Sequence, residues 1–373
     1  MLLKHLIMKE FHQIGRDRRM KSIIFVGPLF QLVVFGYAAN LDVVEVAMVV
    51  CDQDQTPESR ELIERFQGSP LFQPISFVQT TREINPMMTR GDVGIGLVIP
   101  RGFGADIRKG QASTVQVLIE GTNSVKASQG LNGSTLITAN YGLEQLEARL
   151  AAAGYQLPGL PELVPRVWYN PDLKSRNYMV PAIVGLILML MTMMLTSMAT
   201  VREKEAGTME QLIVTPLRPV DLILGKLLPF VMIGFVQVSI VVAVAVFWFK
   251  VPFRGDLGVL YFVALPFLMN TLGIGLLIST LSSTQQQAMM MSMFMFMMPM
   301  IYFSGFVFPI ESMPKWVQPI TYLIPLRYFL SIVRGIFLRG VGLEVLWPDA
   351  LALASLGLVA LSLAVARFRK TID

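Results

Sequence analysis

The chain is poor in charge. Only 15% of its 373 residues are Asp, Glu, Lys or Arg, against about 25% in an ordinary soluble domain, which points to a bilayer rather than to water. Cysteine is nearly absent: Cys51 stands alone, so no intrachain disulfide forms and any water-facing part must be held by an apolar core. Cys51 ends the apolar run 46–50, the position of a buried strand thiol. The two histidines, His5 and His12, lie two turns apart with no ligand set around them and read as solvated side chains. A P-loop is missing, because Gly225-Lys226 lacks both the upstream glycine and the following hydroxyl residue. This chain therefore does not hydrolyse ATP by that route. Nor do the apolar runs carry paired carboxylates of the kind a proton relay uses.

What is present is apolar. Hydrophobic residues make up 53% of the chain and the mean hydropathy is +0.57. Charges are common between Asp42 and Lys174 and nearly vanish from the long runs after Tyr178. The contrast predicts a bundle of spans plus one water-facing domain. The net charge of +5 is assigned to Lys and Arg beside membrane ends, not to nucleic-acid binding.

Residues 1–21 read as an amphipathic elbow helix. Leu3, Leu6, Ile7, Phe11 and Ile14 form its apolar face, with Lys4, His5, Lys9, Glu10 and Gln13 opposite. The cluster Arg16, Arg18, Arg19 and Lys21 would lie near anionic headgroups of membrane lipid. Residues 22–39 are the first span; the rival reading is a signal peptide cut near Gly36 and Ala38. The run is long for such a peptide, and an amphipathic helix is an odd leader for one.

Residues 40–175 are expected to form a soluble insert. Strands are predicted at 43–50, 75–79, 93–99 and 115–119, and helices at 56–66, 81–90 and about 124–153, a small α/β layer structure. Thr56 caps the first of these helices and Pro57 opens it. Gly91, Gly94 and Gly96 precede or enter a strand, so they serve turn and packing rather than a nucleotide loop.

Residues 176–373 form the remaining membrane domain. Apolar runs at about 178–200, 222–249, 257–280, 288–308 and 349–366 each suffice for a core of about 20 residues. The fold class is therefore a membrane all-α bundle of six transmembrane helices with the elbow, plus an inserted extracytoplasmic α/β domain. Lys4 to Lys21, the group Arg202, Lys204, Arg218 and Lys226, and the tail Arg367, Arg369 and Lys370 then share one side, the cytoplasm. Lys250, Arg254, Lys315, Arg327, Arg334 and Arg339 fall outside, against the rule, but the three strongest clusters agree.

Between the second and third runs, residues 201–218 read as a cytoplasmic coupling helix and its flanks. Gly207 ends the incoming helix, Thr208 with Gln211 forms a capping-box pattern, Pro216 stops the short helix and Pro219 opens the next span. Met209, Leu212 and Ile213 give it an apolar edge with Glu205 and Glu210 alongside, which suits docking to a soluble partner.

The run E-K-E-A-G-T-M-E-Q-L-I-V-T-P-L (203–217) resembles the coupling segment of ATP-binding-cassette (ABC) exporter permeases of the type 2 family. The likeness extends to the elbow, the large insert after the first span, and the Pro- and Arg-bearing stretch 325–340 before the last span. It implies a bacterial inner-membrane protein with both termini cytoplasmic. It implies pairing with a second permease, identical or closely related, and two ABC ATPase subunits that hold the ATP and Mg; this chain would bind no cofactor and have no catalytic residue. Arg202, Glu203, Glu205, Gly207, Thr208, Glu210, Gln211 and Leu212 would receive the ATPase motion. The insert would cap the path or meet a periplasmic adaptor.

Two further stretches invite function. Residues 310–340 are apolar but broken by prolines, and are expected as two short helices dipping into the outer leaflet. Pro325, Arg327, Arg334 and Gly335 are the candidates for an outer gate or interface, against the alternative of arginines snorkelling to anchor the chain. The methionine run 289–300 contains thioethers that suit Cu(I), but it lacks His and Cys company and reads as packing or a pliable lining, with no metal. Gln237, Asn270, Met293 and Met297 are the path candidates, against plain interhelical hydrogen bonding for the two amides. The function expected is export of an amphipathic or hydrophobic substrate. The alternatives are a membrane receptor or assembly scaffold sensing through residues 40–175, and an ion-coupled transporter.

Overall fold

The computed structural model describes residues 2–38, 45–153, 168–171, 174–207 and 219–370. The chain divides into two units, Met1–Asn40 with Val167–Asp373, and Leu41–Arg166.

In the smaller unit, β1 (Val46–Asp52) lies between β2 (Phe72–Phe77) and β3 (Ile95–Ile99), parallel to both, and β4 (Gln116–Ile119) runs antiparallel to β3. Successive side chains of a strand point to opposite faces. Accordingly Met48 and Val50 join Leu62 and Phe66 of α4 (Pro57–Gln67) on one side, while Val49 and Cys51 meet Ile84 of α5 (Thr81–Arg90) on the other. Cys51 is fully buried. The Thr56 hydroxyl accepts from the Ser59 amide, as its position before Pro57 predicts. Helix α7 (Ser124–Ala152) closes the first face through Tyr141.

Several details differ from the sequence reading; β3, for example, begins at Ile95 rather than at 93. β2 begins at Phe72 rather than Ile75 and runs through Pro74, which an edge strand tolerates because its free side needs no amide donor. β1 begins at Val46 and continues through Asp52 instead of ending at Val50. A short helix, α6 (Phe103–Lys109), follows β3 where none was expected. Its start is held by Asp54, whose carboxylate accepts from the Gly102 and Gly104 amides at 2.7 and 2.8 Å, a link across the fold that local periodicity does not carry.

The larger unit is helical. Helix α1 (Leu2–Arg16) is followed by α2 (Arg18–Lys21), a π-turn (Ser22–Val26) and α3 (Gly27–Ala38). Among the described residues, four helices are long and apolar enough to cross a membrane: α8 (Ser175–Glu205), and the apolar stretches 223–248 of α9 (Pro219–Phe247 and the turn after it), 257–281 of α10 (Leu257–Leu281) and 343–367 of α14 (Leu343–Lys370). The run from 285 is split into α11 (Gln285–Met290), a π-turn (Met291–Met297) and α12 (Met298–Phe303). Thus the first and fifth expected spans both carry a π-turn, a widening that hydropathy does not register.

α8 is the hub. Its apolar window is 89% buried, against 17% for α14, so the other helices gather round it and α14 presents most of its surface outward. Small residues let backbones approach: a Cβ on Gly275 of α10 would sit 2.6 Å from the Met193 carbonyl of α8. Hydroxyls tie the same pair, with Thr192 and Thr271 Oγ1 atoms 2.8 Å apart.

Residues 310–340 differ from expectation. There is one α-helix, α13 (Pro325–Arg334), preceded by 3-10 turns at Ile310–Ser312 and Gln318–Leu323 and extended by a π-turn at Gly335–Arg339. It seats its apolar face on the bundle: Phe329 stacks on Phe267 of α10 at 4.0 Å and fills the space beside Gly185 of α8. The prolines account for the rest, since Pro314, Pro319 and Pro325 each lack the amide a helix interior needs.

Candidate functional site: an ionic junction at the end of α8

Helix α8 stays apolar until its last turn, then presents Arg202, Glu203, Lys204 and Glu205 in sequence. Four consecutive polar side chains on a helix point about 100° apart, so they reach different neighbours. Arg202 Nη1 donates to Asp17 Oδ2 at 2.9 Å, just beyond α1. Glu203 points into the bundle with a side chain only 4% exposed, and pairs with Lys226 of α9 and, at 2.5 Å, with Lys9 of α1. Lys204 Nζ donates to the Ser279 carbonyl of α10. Glu205 accepts from the backbone amide and the side-chain amide of Gln285, the first residue of α11. One helical turn thus holds four other parts of the membrane unit.

Glu10 adds a buried carboxyl to this junction. It is 4% exposed, and burial raises its pKa above the usual carboxylate range, with the neighbouring Glu203 charge adding to the rise. Its amine neighbour Lys9 lies 3.9 Å away. The elbow therefore differs from the sequence reading. Its buried line is Leu6, Glu10 and Ile14, whereas Phe11, assigned there to the apolar face, is exposed. Leu6 fits against Gly225 of α9, where a Cβ would stand 2.8 Å from its side chain. The missed partners are Lys9, Asp17, Lys226 and Gln285. Only Glu203, an acid at the end of an apolar run, with Lys226 at the matching end of the next, gave a readable sign.

Gly207 follows the junction in a left-handed conformation at φ +68° and its amide donates to the Lys204 carbonyl, which ends the helix. Thr208, Glu210, Gln211 and Leu212 lie outside the described residues.

The other candidates fall elsewhere in the same unit. Gln237 is buried, and its Nε2 donates to the Ile24 carbonyl inside the first π-turn at 3.2 Å. Asn270 is 2% exposed with Oδ1 lacking a hydrogen-bond partner among the described residues. Met293 and Met297 are partly buried against the core within the second π-turn. Arg327 and Arg334 line a cavity of about 640 Å³, but Pro325 and Gly335 are buried in packing, so the four are not brought to one surface. Among the described residues there is no cluster of three or more His, Cys, Asp or Glu arranged to hold a metal.

Comparison with known proteins places this architecture. A model of the ABC-2 family transporter proteins matches residues 18–366. The chain is 33% identical to the probable multidrug ABC transporter permease YbhR of Escherichia coli K12, over 98% of each chain. It is 32% identical to the probable multidrug ABC transporter permease YbhS of the same organism, over 91% of this chain and 89% of that one. With the inner membrane transport permease YhhJ of E. coli K12 it shares 29% identity over 98% of this chain and 96% of the other. An apolar helical bundle gathered round α8, carrying a separate α/β unit, is thus matched along nearly its whole length, and the chain belongs to the ABC-2 family of transporter proteins as a permease subunit.

Proposed function

We propose that this chain is the membrane half of an ATP-driven exporter in a bacterial inner membrane, moving amphipathic or hydrophobic compounds, including drugs, outward. In this reading six helices span the bilayer, counting α3 with its π-turn and the interrupted segment 285–303. Residues 41–166 lie outside, and both termini and residues 208–218 lie in the cytoplasm. Two permeases pair, and each rests residues 208–218 on a separate ABC ATPase subunit that binds ATP and Mg.

The observation that carries the reading is the junction at 202–205. The chain leaves it for residues 208–218 and returns into α9, whose Lys226 pairs with Glu203. Force applied to that connection would reach α8 and α9 together, and through Lys9 the elbow. Helix α8, whose apolar window is 89% buried, would carry the displacement into the bundle. Gln237, Asn270, Met293 and Met297 remain the proposed path, exposed as the helices tilt; Asn270 Oδ1 is a buried acceptor awaiting a donor.

The names of YbhR and YbhS support multidrug cargo, and that of YhhJ the inner membrane. The test is capture of the ATPase by Glu205→Arg and Gly207→Pro permeases. Proline cannot adopt the positive φ of Gly207, so the helix end must rearrange. Loss of ATPase capture with normal membrane insertion is expected, and wild-type recovery by both variants overturns the docking claim. Orientation is read with Thr208→Cys in a Cys51→Ser background, where labelling from the cytoplasmic side alone is expected.

A further inference from the structure

The cavity beside α13 carries charge of both signs that is not neutralised internally. Arg327, Arg334 and Arg339 line it together with Glu311 and Asp349. Among the described residues no ion pair joins any of the three guanidiniums to either carboxylate. Glu311 and Arg339 are exposed, whereas Arg327, Arg334 and Asp349 are half-buried, where a charge left without a partner is costly.

The arginines are instead held on aromatic faces. Arg334 lies 3.7 Å above the Tyr178 ring and Arg327 lies 4.0 Å above that of Tyr322. Stacking fixes the plane of a guanidinium and leaves its edge to donate, the arrangement suited to bidentate recognition of phosphate; Arg327 spends one of these donors, Nη1, on the Thr321 hydroxyl and keeps the others. Arg334 Nε and Nη2 are buried without an acceptor among the described residues, a donor deficit that an oxyanion would relieve. Its Nη1 reaches the Gly305 carbonyl only at 3.5 Å.

We propose that this cavity binds a zwitterionic phosphate–ammonium headgroup, with the phosphate held by Arg327 and Arg334 and the ammonium by Glu311 and Asp349. A purely anionic headgroup would meet the two carboxylates, and a purely cationic ligand would meet three guanidiniums. A volume of about 640 Å³ is ample for one headgroup. Snorkelling arginines would serve an anchor equally well without any acid in the same cavity. The presence of both signs is what separates a binding site from an anchor. This goes beyond the export reading and does not depend on it, because binding is measured with no ATPase present.

The test uses the full chain purified in detergent and offered equimolar phosphatidylethanolamine and phosphatidylglycerol with matched acyl chains. Retained lipid is counted by native mass spectrometry. The wild type is expected to retain phosphatidylethanolamine about fivefold or more over phosphatidylglycerol. Arg327→Gln and Arg334→Gln should each lower phosphatidylethanolamine retention about tenfold, the loss of one charge-assisted contact. Glu311→Gln with Asp349→Asn should abolish the preference while phosphatidylglycerol retention persists. Lys315→Gln, outside the cavity, is the control and should change nothing.

Arg334 is the more enclosed of the two arginines, and should its variant fail to fold, Arg327→Gln decides. Soluble glycerophosphoethanolamine separates the sources. Displacement of the lipid means that the headgroup alone is recognised, so a water-soluble ligand also qualifies. Retention that resists it yet still requires Arg327 assigns the site to a bilayer lipid. Equal or greater retention of phosphatidylglycerol by the wild type, or unchanged retention in Arg327→Gln, overturns the proposal.

Discussion

Glu203 and Lys226 form an ion pair in which both side chains are almost fully enclosed, 4% and 5% exposed, at the junction of α8 and α9. Such a pair is costly to form and costlier to break, since removing one partner strands the other charge, a loss of about 3–5 kcal/mol. Glu203→Gln is therefore expected to lower the thermal midpoint of the detergent-solubilised chain sharply. Combining it with Lys226→Met should recover part of the loss, because no charge is then stranded on α9. A double-mutant cycle read by thermal unfolding checks this, and additive losses would show that the two residues act separately.

The elbow is tied at two points of unequal strength. Lys9 reaches the buried Glu203, whereas Arg202 and Asp17 are about a quarter to a third exposed. Exposed pairs are worth about 0–1 kcal/mol, so Asp17→Asn should change stability little. Lys9→Met, which leaves the Glu203–Lys226 pair in place, should loosen α1 from α8. The expected readout is faster amide exchange across Leu6–Ile14, with Asp17→Asn close to the wild type.

Glu10 makes the junction sensitive to pH. Its folded pKa is raised above the ordinary value of 4.5, chiefly by burial and next by Glu203, against the lowering effects of Lys226, Lys9 and Arg202. In the window between 4.5 and the raised value, the folded state therefore binds more protons than the unfolded one. Stability contributed by this group accordingly falls as pH rises through that window and is fully present below it. Glu10→Gln removes the slope and should be more stable than the wild type at neutral pH. Thermal midpoints from pH 5 to 8, wild type against Glu10→Gln, check the sign.

The outline of both units is legible in the sequence because it follows from short-range pattern. Residues 81–90 form the helix that the sequence predicts, Thr56 caps where Pro57 says it should, and four apolar runs become long helices. What is not legible depends on partners distant in the chain. Hydropathy assigns Lys9 and Glu10 to the polar side of α1, yet both meet Glu203 almost 200 residues away, and Glu10 lies on the buried line with Leu6 and Ile14. Hydropathy likewise counts 22–39 and 288–308 as plain spans. The π-turns within them follow from backbone geometry and from contacts such as Gln237 with the Ile24 carbonyl. Arg327 and Arg334 share a helical face, as their spacing requires, but nothing local announces that Glu311 and Asp349 line the same cavity.

The closeness of α8 and α10 yields the last expectation. A Cβ at Gly275 would lie 2.6 Å from the Met193 carbonyl and 3.2 Å from its Cα, backbone atoms that cannot rotate away. At Gly36 a Cβ would also be crowded, at 2.5 Å, but by the ring of Phe249, a side chain with rotamer freedom. Gly275→Ala must therefore push two helices apart and strain the Thr192–Thr271 hydroxyl contact, whereas Gly36→Ala asks only for the far end of the Phe249 side chain to swing aside. Overpacking of a close-packed interior costs about 1–3 kcal/mol, so Gly275→Ala should lower the thermal midpoint markedly and Gly36→Ala much less. Because α8 is the enclosed hub, displacement at Gly275 should also loosen the ends of the helix. Increased amide exchange at 202–205 in Gly275→Ala, absent in Gly36→Ala, is the expected signature. An unchanged junction would mean that α8 does not move as one rod.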